Sequence, residues 1–528
     1  MLENEKANNQ DGITTSGHNE SLWVDTVKPL KYSKLESDLE TEVVIVGGGL
    51  AGLSVGYCLS KAGKKVVIIE DGFLGSGETG RTTAHITNAL DDRYFEIQRI
   101  HGKEAASLAA ASHTSAINFI SDTVSRENID CDLQKVDGYL FPHPADNRKT
   151  IDDEFEATRE CGLDTTLSES VPPGIYDQEG PVLTFKQQSQ FHPLKYLKGL
   201  ADAIIKNGGQ IYTESRVDEV SKSGVKVKDH EVKAQHIVVT TNTPFNDWVT
   251  MHTKQYAYRS YVITALLPKG SLQPALWWDT GDPTSKWISQ PYHYARIYDY
   301  NDENDVLIVG GADHKTGQAD AEDMPEEERY YSLRSWAKKH FPMIGEEIYH
   351  WSGQVMEPVD ALAFIGRNPG DKNIYICTGD SGNGMTHCTI AGMLISDLIL
   401  EKENPWEKIY DPSRMMFHSL GNYIKEAGNM AAQYADFITA GDIPSAKELE
   451  AGNGAIISHG LNKIAVYKDE KGILKTYSAI CPHLGCVLQY NAEERSFDCP
   501  CHGSRFTTEG KLINGPAVTD LKPIEFKE

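Results

Sequence analysis

Six thiol and imidazole side chains near the end of the chain are spaced as if to share one inorganic centre. The runs are Cys481-Pro482-His483-Leu484-Gly485-Cys486 and, twelve residues later, Cys499-Pro500-Cys501-His502-Gly503-Ser504. Thiolates and neutral imidazoles are the side chains that hold iron–sulfur cores or zinc, so C-x-H-x-G-C followed by C-x-C-H-G-S marks a metal site. A second chemistry-bearing pattern lies near the start, where Gly47, Gly49 and Gly52 spell G-x-G-x-x-G. There the first glycine permits a tight turn, the second lets backbone amides approach a pyrophosphate, and the third allows helix and strand to pack closely. Glu70 stands at the end of the next apolar strand, where a carboxylate can accept hydrogen bonds from a ribose.

These residues need elements to hold them. Val43–Val46 reads as a strand, the stretch to Ala62 as a helix and Lys65–Ile69 as a second strand, one parallel crossover unit. The uncharged run Val43–Ser60 approaches the length of a membrane span, but its glycines fit a buried strand and helix better. Further helices are expected near 101–127, over Leu194–Asn207 and over Pro325–His340. Strand Ile374–Cys377 enters the turn Thr378-Gly379-Asp380-Ser381-Gly382-Asn383-Gly384-Met385, which leads into a helix ending near Leu400. Between Tyr256 and Gly311, β-branched and aromatic runs predict antiparallel hairpins, and the short strands after Lys447 predict a small β domain. Val487–Tyr490 and Arg495–Asp498 would form a hairpin that brings both Cys/His loops to one end.

At 528 residues the chain holds three or four units at roughly 100–200 residues each. Its 51 basic and 76 acidic residues give a net charge of −25, which argues against a nucleic-acid partner. Met1–Trp23 has neither the basic start nor the apolar core of a secretory signal. Cys58, Cys131, Cys161, Cys377 and Cys388 are scattered singly, as suits a reducing cytoplasm, and no integral membrane segment is expected.

Four stretches together resemble the amino-acid-oxidase-like FAD-dependent oxidoreductases over about residues 40–400: the glycine fingerprint, Gly77–His85, the strand Ile237–Thr241 and the turn Gly379–Thr386. The resemblance implies FAD rather than NAD, with Gly47, Gly49, Gly52, Glu70, Arg81, Thr82, His85, Gly379, Gly382, Gly384, Met385 and Thr386 as cofactor-binding residues. His85 is open to three readings: a covalent flavin tether, a flavin contact, or an ordinary buried histidine. The last eighty residues resemble Rieske iron–sulfur domains. That resemblance implies a [2Fe-2S] cluster with Cys481 and Cys499 on one iron, His483 and His502 on the other, and a disulfide between Cys486 and Cys501. A zinc site on the same four ligands is the competing reading, but it leaves Cys486, Cys501 and Ser504 without a role. Ser504 keeps the hydroxyl that supports a high potential in Rieske proteins, whereas Phe506 stands where high-potential members carry tyrosine. Gly515-Pro516-Ala517 resembles the proline loop over the cluster.

The expected fold class is α/β: a Rossmann-like FAD-binding domain with an inserted antiparallel-sheet substrate domain, followed by a small all-β Rieske domain. The expected division is a polar N-terminal tail over 1–36, an oxidoreductase over 37–403, a helical linker over 404–446 and the Rieske domain over 447–528. Within the oxidoreductase, FAD-binding segments fall at about 40–95, 190–250 and 350–403, and substrate segments at about 96–189 and 251–349. The expected activity is oxidation of a small amine, amino acid or hydroxy acid, with electrons passed singly through the cluster to an external acceptor. Arg259, Arg296 and His314 are candidates to hold a substrate carboxylate, but arginines and histidines in strands more often satisfy local partners, and the structural role is the favoured one. A redox carrier or sensor, and a reductase running from cluster to flavin, are the alternatives. A Rieske oxygenase ranks low, because no two of the eighteen histidines lie three to five residues apart as an iron-binding triad would want.

Overall fold

The apolar run at Val43–Val46 can sit mid-sheet because both of its faces are covered. In the computed structural model, which describes residues 16–246, 251, 253–285, 292–318, 326–414, 441–459 and 462–525, strand Leu39–Val46 pairs in parallel with two neighbours. His230–Val239 lies on one side and Val66–Ile69 on the other, with Ile45 opposite both Val238 and Ile68. Val43 and Ile45 pack with helices Leu50–Lys61, Lys103–Glu127, Pro193–Lys206 and Gly384–Ile399. Val44 and Val46 join Val225, Val227 and Val232 on the opposite face. Ile374–Thr378 and Phe364–Arg367 extend this eight-stranded sheet at one edge and Gln210–Tyr212 at the other.

A second, nine-stranded sheet stands against the first. Its longest strands are Gln255–Pro268, Asn304–Lys315 and Glu347–Pro358, with Gln255–Pro268 in the middle. The antiparallel pairing expected of the β-branched runs is present, with Val262 opposite Gly310 and Thr264 opposite Ile308. The C-terminal part holds a three-stranded and a four-stranded antiparallel sheet, and the hairpin Gln489–Asn491 with Ser496–Asp498 separates the two Cys/His loops.

From Ser16 onward the segment expected to be a polar tail is part of the packed structure. Ser21 accepts a hydrogen bond from the Val24 amide and caps the short helix Leu22–Thr26. Trp23 on that helix is fully buried, donates from Nε1 to the Thr82 carbonyl at 2.6 Å and meets His192 and Tyr298 edge-on. A polar average conceals this anchor, since one indole carries a large apolar surface into the core. The helical linker expected over 404–446 lies, from 415 to 440, outside the described residues. Among the described residues no helix is long and apolar enough to cross a membrane.

Candidate functional site: two cofactor sites and the interface between them

The turn after the first strand is built around missing Cβ atoms. Gly47 has φ +109°, and a Cβ there would lie 2.8 Å from the Thr240 carbonyl oxygen; one on Gly52 would lie 2.0 Å from the Gly47 carbonyl oxygen. Helix and strand therefore approach as only glycine allows. Gly49 caps helix Leu50–Lys61, whose N-terminus adjoins a long cavity lined by Gly47, Gly49 and Glu70. Glu70 accepts from the Gly48 amide at 2.5 Å and the Gly72 amide at 2.8 Å. Burial, aided by neighbouring Asp71, pushes its carboxyl well above the usual range.

The late turn reaches the same cavity. Gly382, Gly384 and Met385 line it, so a second helix N-terminus adjoins the space and favours negative charge there. Gly382 has φ +69°, and its Cβ would sit 2.0 Å from Asp91 Oδ2. Gly52, Gly379 and Thr386 stand behind the wall rather than in it; Thr386 Oγ1 contacts His113 Nδ1 at 2.7 Å. Thr82 and His85 line the wall. His85 has both ring nitrogens engaged, Nδ1 with Thr83 Oγ1 at 3.0 Å and Nε2 with the Ala295 carbonyl at 3.2 Å. Burial, with Arg296 nearby, lowers its pKa to about 3, so the ring is neutral. Both ring nitrogens of His85 are thus bonded to protein groups, and the residue lines the cavity. Arg81 also borders the cavity, but its guanidinium turns away to the Ser352 carbonyl, the Asn19 carbonyl and Glu494.

Toward the second sheet the lining becomes acidic and aromatic: Asp91, Asp313, Glu357 and Asp380 with Trp278, Tyr292 and Tyr294. Tyr292 donates to Asp91 at 2.6 Å, and the Tyr294 and Ser260 hydroxyls share a hydrogen bond of 2.7 Å. Burial first, and the neighbouring Asp92 carboxylate next, push Glu357 well up; burial brings Asp313 to about 7 and Asp380 to about 6. Arg259, Arg296 and His314 do not line this space. Arg296 gives one nitrogen to the carbonyls of Thr83, Ala84 and Phe191, and Arg259 bonds Ser352 and pairs with Glu494 at 3.4 Å.

In the C-terminal part the four implied ligands are all buried and come together in pairs. Cys481 and Cys499 are hydrogen-bonded to each other, and the rings of His483 and His502 lie 4.9 Å apart, nearly perpendicular. Cys486 and Cys501 form a disulfide that joins the loops, and Cys499 Sγ lies within 4.8 Å of both of its sulfurs. Ser504 Oγ is buried beside them and accepts from the Ala517 amide at 3.0 Å. Two thiols and two imidazoles in separate pairs are the donor set of a Rieske centre.

The two sites share a wall that the sequence does not reveal. Leu512–Asn514, Gly515, Ala517 and Val518 line the dinucleotide cavity, where Arg216 donates to the Val518 carbonyl at 2.8 Å. Asn514 donates to Glu78 at 3.2 Å, and Arg505 donates to the Ser16 carbonyl at 2.8 Å. Glu494, fully buried, is the densest junction: it pairs with Arg81 at 3.2 Å and Arg259, and accepts from Ser352 and the His18 amide. Burial alone would raise its pKa, but Arg81, Arg259 and Arg505 outweigh burial and hold it at about 2.

Residues 42–398 match the signature of the FAD dependent oxidoreductase family, and residues 441–525 that of the Rieske [2Fe-2S] domain. The chain belongs to the FAD-dependent oxidoreductases and carries a Rieske domain. It binds FAD and a [2Fe-2S] cluster. This oxidoreductase is 32% identical over 518 residues to a protein named for a Rieske 2Fe-2S iron-sulfur centre, YhfW of Bacillus subtilis (strain 168), covering 96% of this chain and 97% of that one. It is 26% identical to the gamma-glutamylputrescine oxidoreductase of Escherichia coli (strain K12), over 70% of this chain and 85% of that one. Among solved structures, glycine oxidase from Geobacillus kaustophilus has the same fold with a TM-score of 0.57 at 17% identity, covering 71% of this chain and 99% of that one.

Two expectations follow. Phe506 is fully buried in the core that holds Cys481 and Cys499. Phe506→Tyr adds a hydroxyl donor, and one hydrogen bond of about 1 kcal/mol raises a one-electron midpoint by roughly 40 mV, read by potentiometry. Glu494→Gln leaves Arg81 and Arg259 without their anion and costs about 3–5 kcal/mol. Because the Glu494 pKa is depressed, its contribution is complete above pH ~4.5 and fades as pH falls toward 2. Denaturant melts at stepped pH should show wild type losing this increment on acidification, and Glu494→Gln lacking it throughout.

Proposed function

We propose that this protein is a cytoplasmic dehydrogenase that oxidises a cationic amine and passes the electrons singly through its cluster to an external acceptor. The observation that carries the reading is the charge of the cavity. Asp91, Asp313, Glu357 and Asp380 line the end nearer the second sheet, and the two arginines in the described lining, Arg81 and Arg216, are both bonded to groups of the Rieske domain. A carboxylate-bearing substrate would add one more anion to carboxyls whose pKa values are already raised, whereas an ammonium group would stabilise their ionised forms and be drawn in. Trp278, Tyr292 and Tyr294 add faces on which a cation rests favourably. The unpaired thiols Cys58, Cys131, Cys161, Cys377 and Cys388 suit a reducing compartment.

When bound, FAD accepts a hydride from a C–H bond beside nitrogen, and the cluster carries one electron at a time. The side chains supply the rest. A carboxyl brought to about pH 7, as at Asp313, can take the ammonium proton and free the nitrogen lone pair that assists C–H cleavage. Tyr292, held by Asp91, and Tyr294, held by Ser260, give the wall a fixed shape. Glu70 and the two helix N-termini are the groups we assign to the ribose and the phosphates. Gly47, Gly49, Thr82, His85, Gly382, Gly384 and Met385 shape the cofactor cradle in this reading; Gly52, Gly379 and Thr386 support it from behind.

Anaerobic mixing with monoamines, diamines, amino acids and 2-hydroxy acids tests the proposal. Amines should bleach the flavin and then the cluster; bleaching by a hydroxy acid with none by any amine overturns it. Apparent KM for the active amine should fall as pH rises through about 7, because the Asp313 carboxyl must be ionised to take the proton. Asp313→Asn should remove that limb and raise KM by about 10–100-fold, the worth of one charged hydrogen bond.

A further inference from the structure

The second Cys/His loop is held against the oxidoreductase by two glutamine amides. Gln318 donates from Nε2 to the Pro500 carbonyl at 3.0 Å, and Gln354 donates from Nε2 to the Gly503 carbonyl at 3.1 Å. These carbonyls bracket Cys501 and His502. The contact leaves no slack. Gly317 has φ +68°, and a Cβ on it would lie 2.8 Å from the Pro500 nitrogen; Gly503 has φ +76°, and its Cβ would lie 2.4 Å from that of Ala257. The two glutamines differ in one respect. Gln354 lines the dinucleotide cavity and Gln318 does not. Gln354 is 3% exposed, and its Oε1 accepts from Thr316 Oγ1 at 3.3 Å, which fixes which end of the amide faces the loop. One side chain thus spans from the cavity wall to the peptide group beside His502.

We infer that Gln354 is a positioning residue for electron transfer from the flavin cavity to the cluster, with His502 the ligand on the receiving side. The inference rests on the flavin-to-cluster order proposed above. Each transfer removes one electron from the reduced flavin and adds it to one iron of the cluster, ferric becoming ferrous, and no bond to Gln354 forms or breaks. A two-electron oxidation of substrate needs two such passes. Between them the cluster discharges to an external one-electron acceptor, and the flavin protons leave to water. Gln354 keeps the distance short and the intervening contact continuous through hydrogen-bonded and covalent links.

The test uses the holoenzyme. Light with deazaflavin and EDTA reduces the bound flavin anaerobically, and cluster reduction is timed by its absorbance and by EPR of rapidly frozen samples. Gln354→Leu and the similarly sized Gln354→Met both lose the donor to Gly503. Both should slow flavin-to-cluster transfer roughly tenfold, the order set by one lost hydrogen bond, with the cluster EPR spectrum, its midpoint potential and the FAD content unchanged. Gln318→Leu, which removes the loop contact outside the cavity wall, should slow transfer distinctly less. Unchanged transfer in both Gln354 variants overturns the inference, as does equal slowing in Gln318→Leu or a shift in cluster potential large enough to explain the rate. If the wild-type flavin is reduced and the cluster never follows, it is the electron order that fails, which separates the two ideas.

Discussion

A single buried carboxylate governs how the two halves of this protein meet. Glu494 belongs to the hairpin that separates the Cys/His loops, yet its partners Arg81, Arg259 and Ser352 all belong to the oxidoreductase. Taking an anion and two guanidinium groups out of water is costly, and the arrangement survives only because each charge is met. The reward is orientation, since charged groups fixed at hydrogen-bond distance tolerate little sliding. With Glu494 in place, the second cluster loop rests on Gln318 and Gln354, and the stretch through Pro516 closes one side of the dinucleotide cavity.

The clamp also explains why cationic side chains are absent from the roles that composition suggests for them. Arg81 sits within the segment that resembles a flavin-binding motif, and Arg259 on a strand of the expected substrate segment. Both are spent on Glu494. Arg296 is spent on three carbonyls and on the face of Trp23. What remains facing the far end of the cavity is a set of carboxyl and aromatic side chains.

The parts legible in the sequence are those whose chemistry is local. Gly47, Gly49 and Gly52 act on a turn six residues long, and Cys481, His483, Cys499 and His502 lie on loops joined by one hairpin, so spacing alone carries the information. The parts that were not legible depend on partners far along the chain. Arg81 and Glu494 are 413 positions apart, and Gln354 and Gly503 are 149 apart. Nothing in a run such as Trp351-Ser352-Gly353-Gln354 says that it faces a metal loop. Trp23 was hidden differently, as one large apolar side chain inside a stretch whose average is polar. The acidic lining gathers Asp91, Asp313, Glu357 and Asp380 from four separate segments and becomes a feature only when the sheets close on it.

Because Leu512–Asn514, Gly515, Ala517 and Val518 form part of the wall around the dinucleotide cavity and Ala517 is tied to Ser504, the pocket that opens at Gly47 is finished by residues of the Rieske domain. Synthesis runs the other way, and the N-terminal sheet can assemble on the ribosome before those residues have been translated. The cavity is therefore closed on that side only once the Rieske domain has folded and docked.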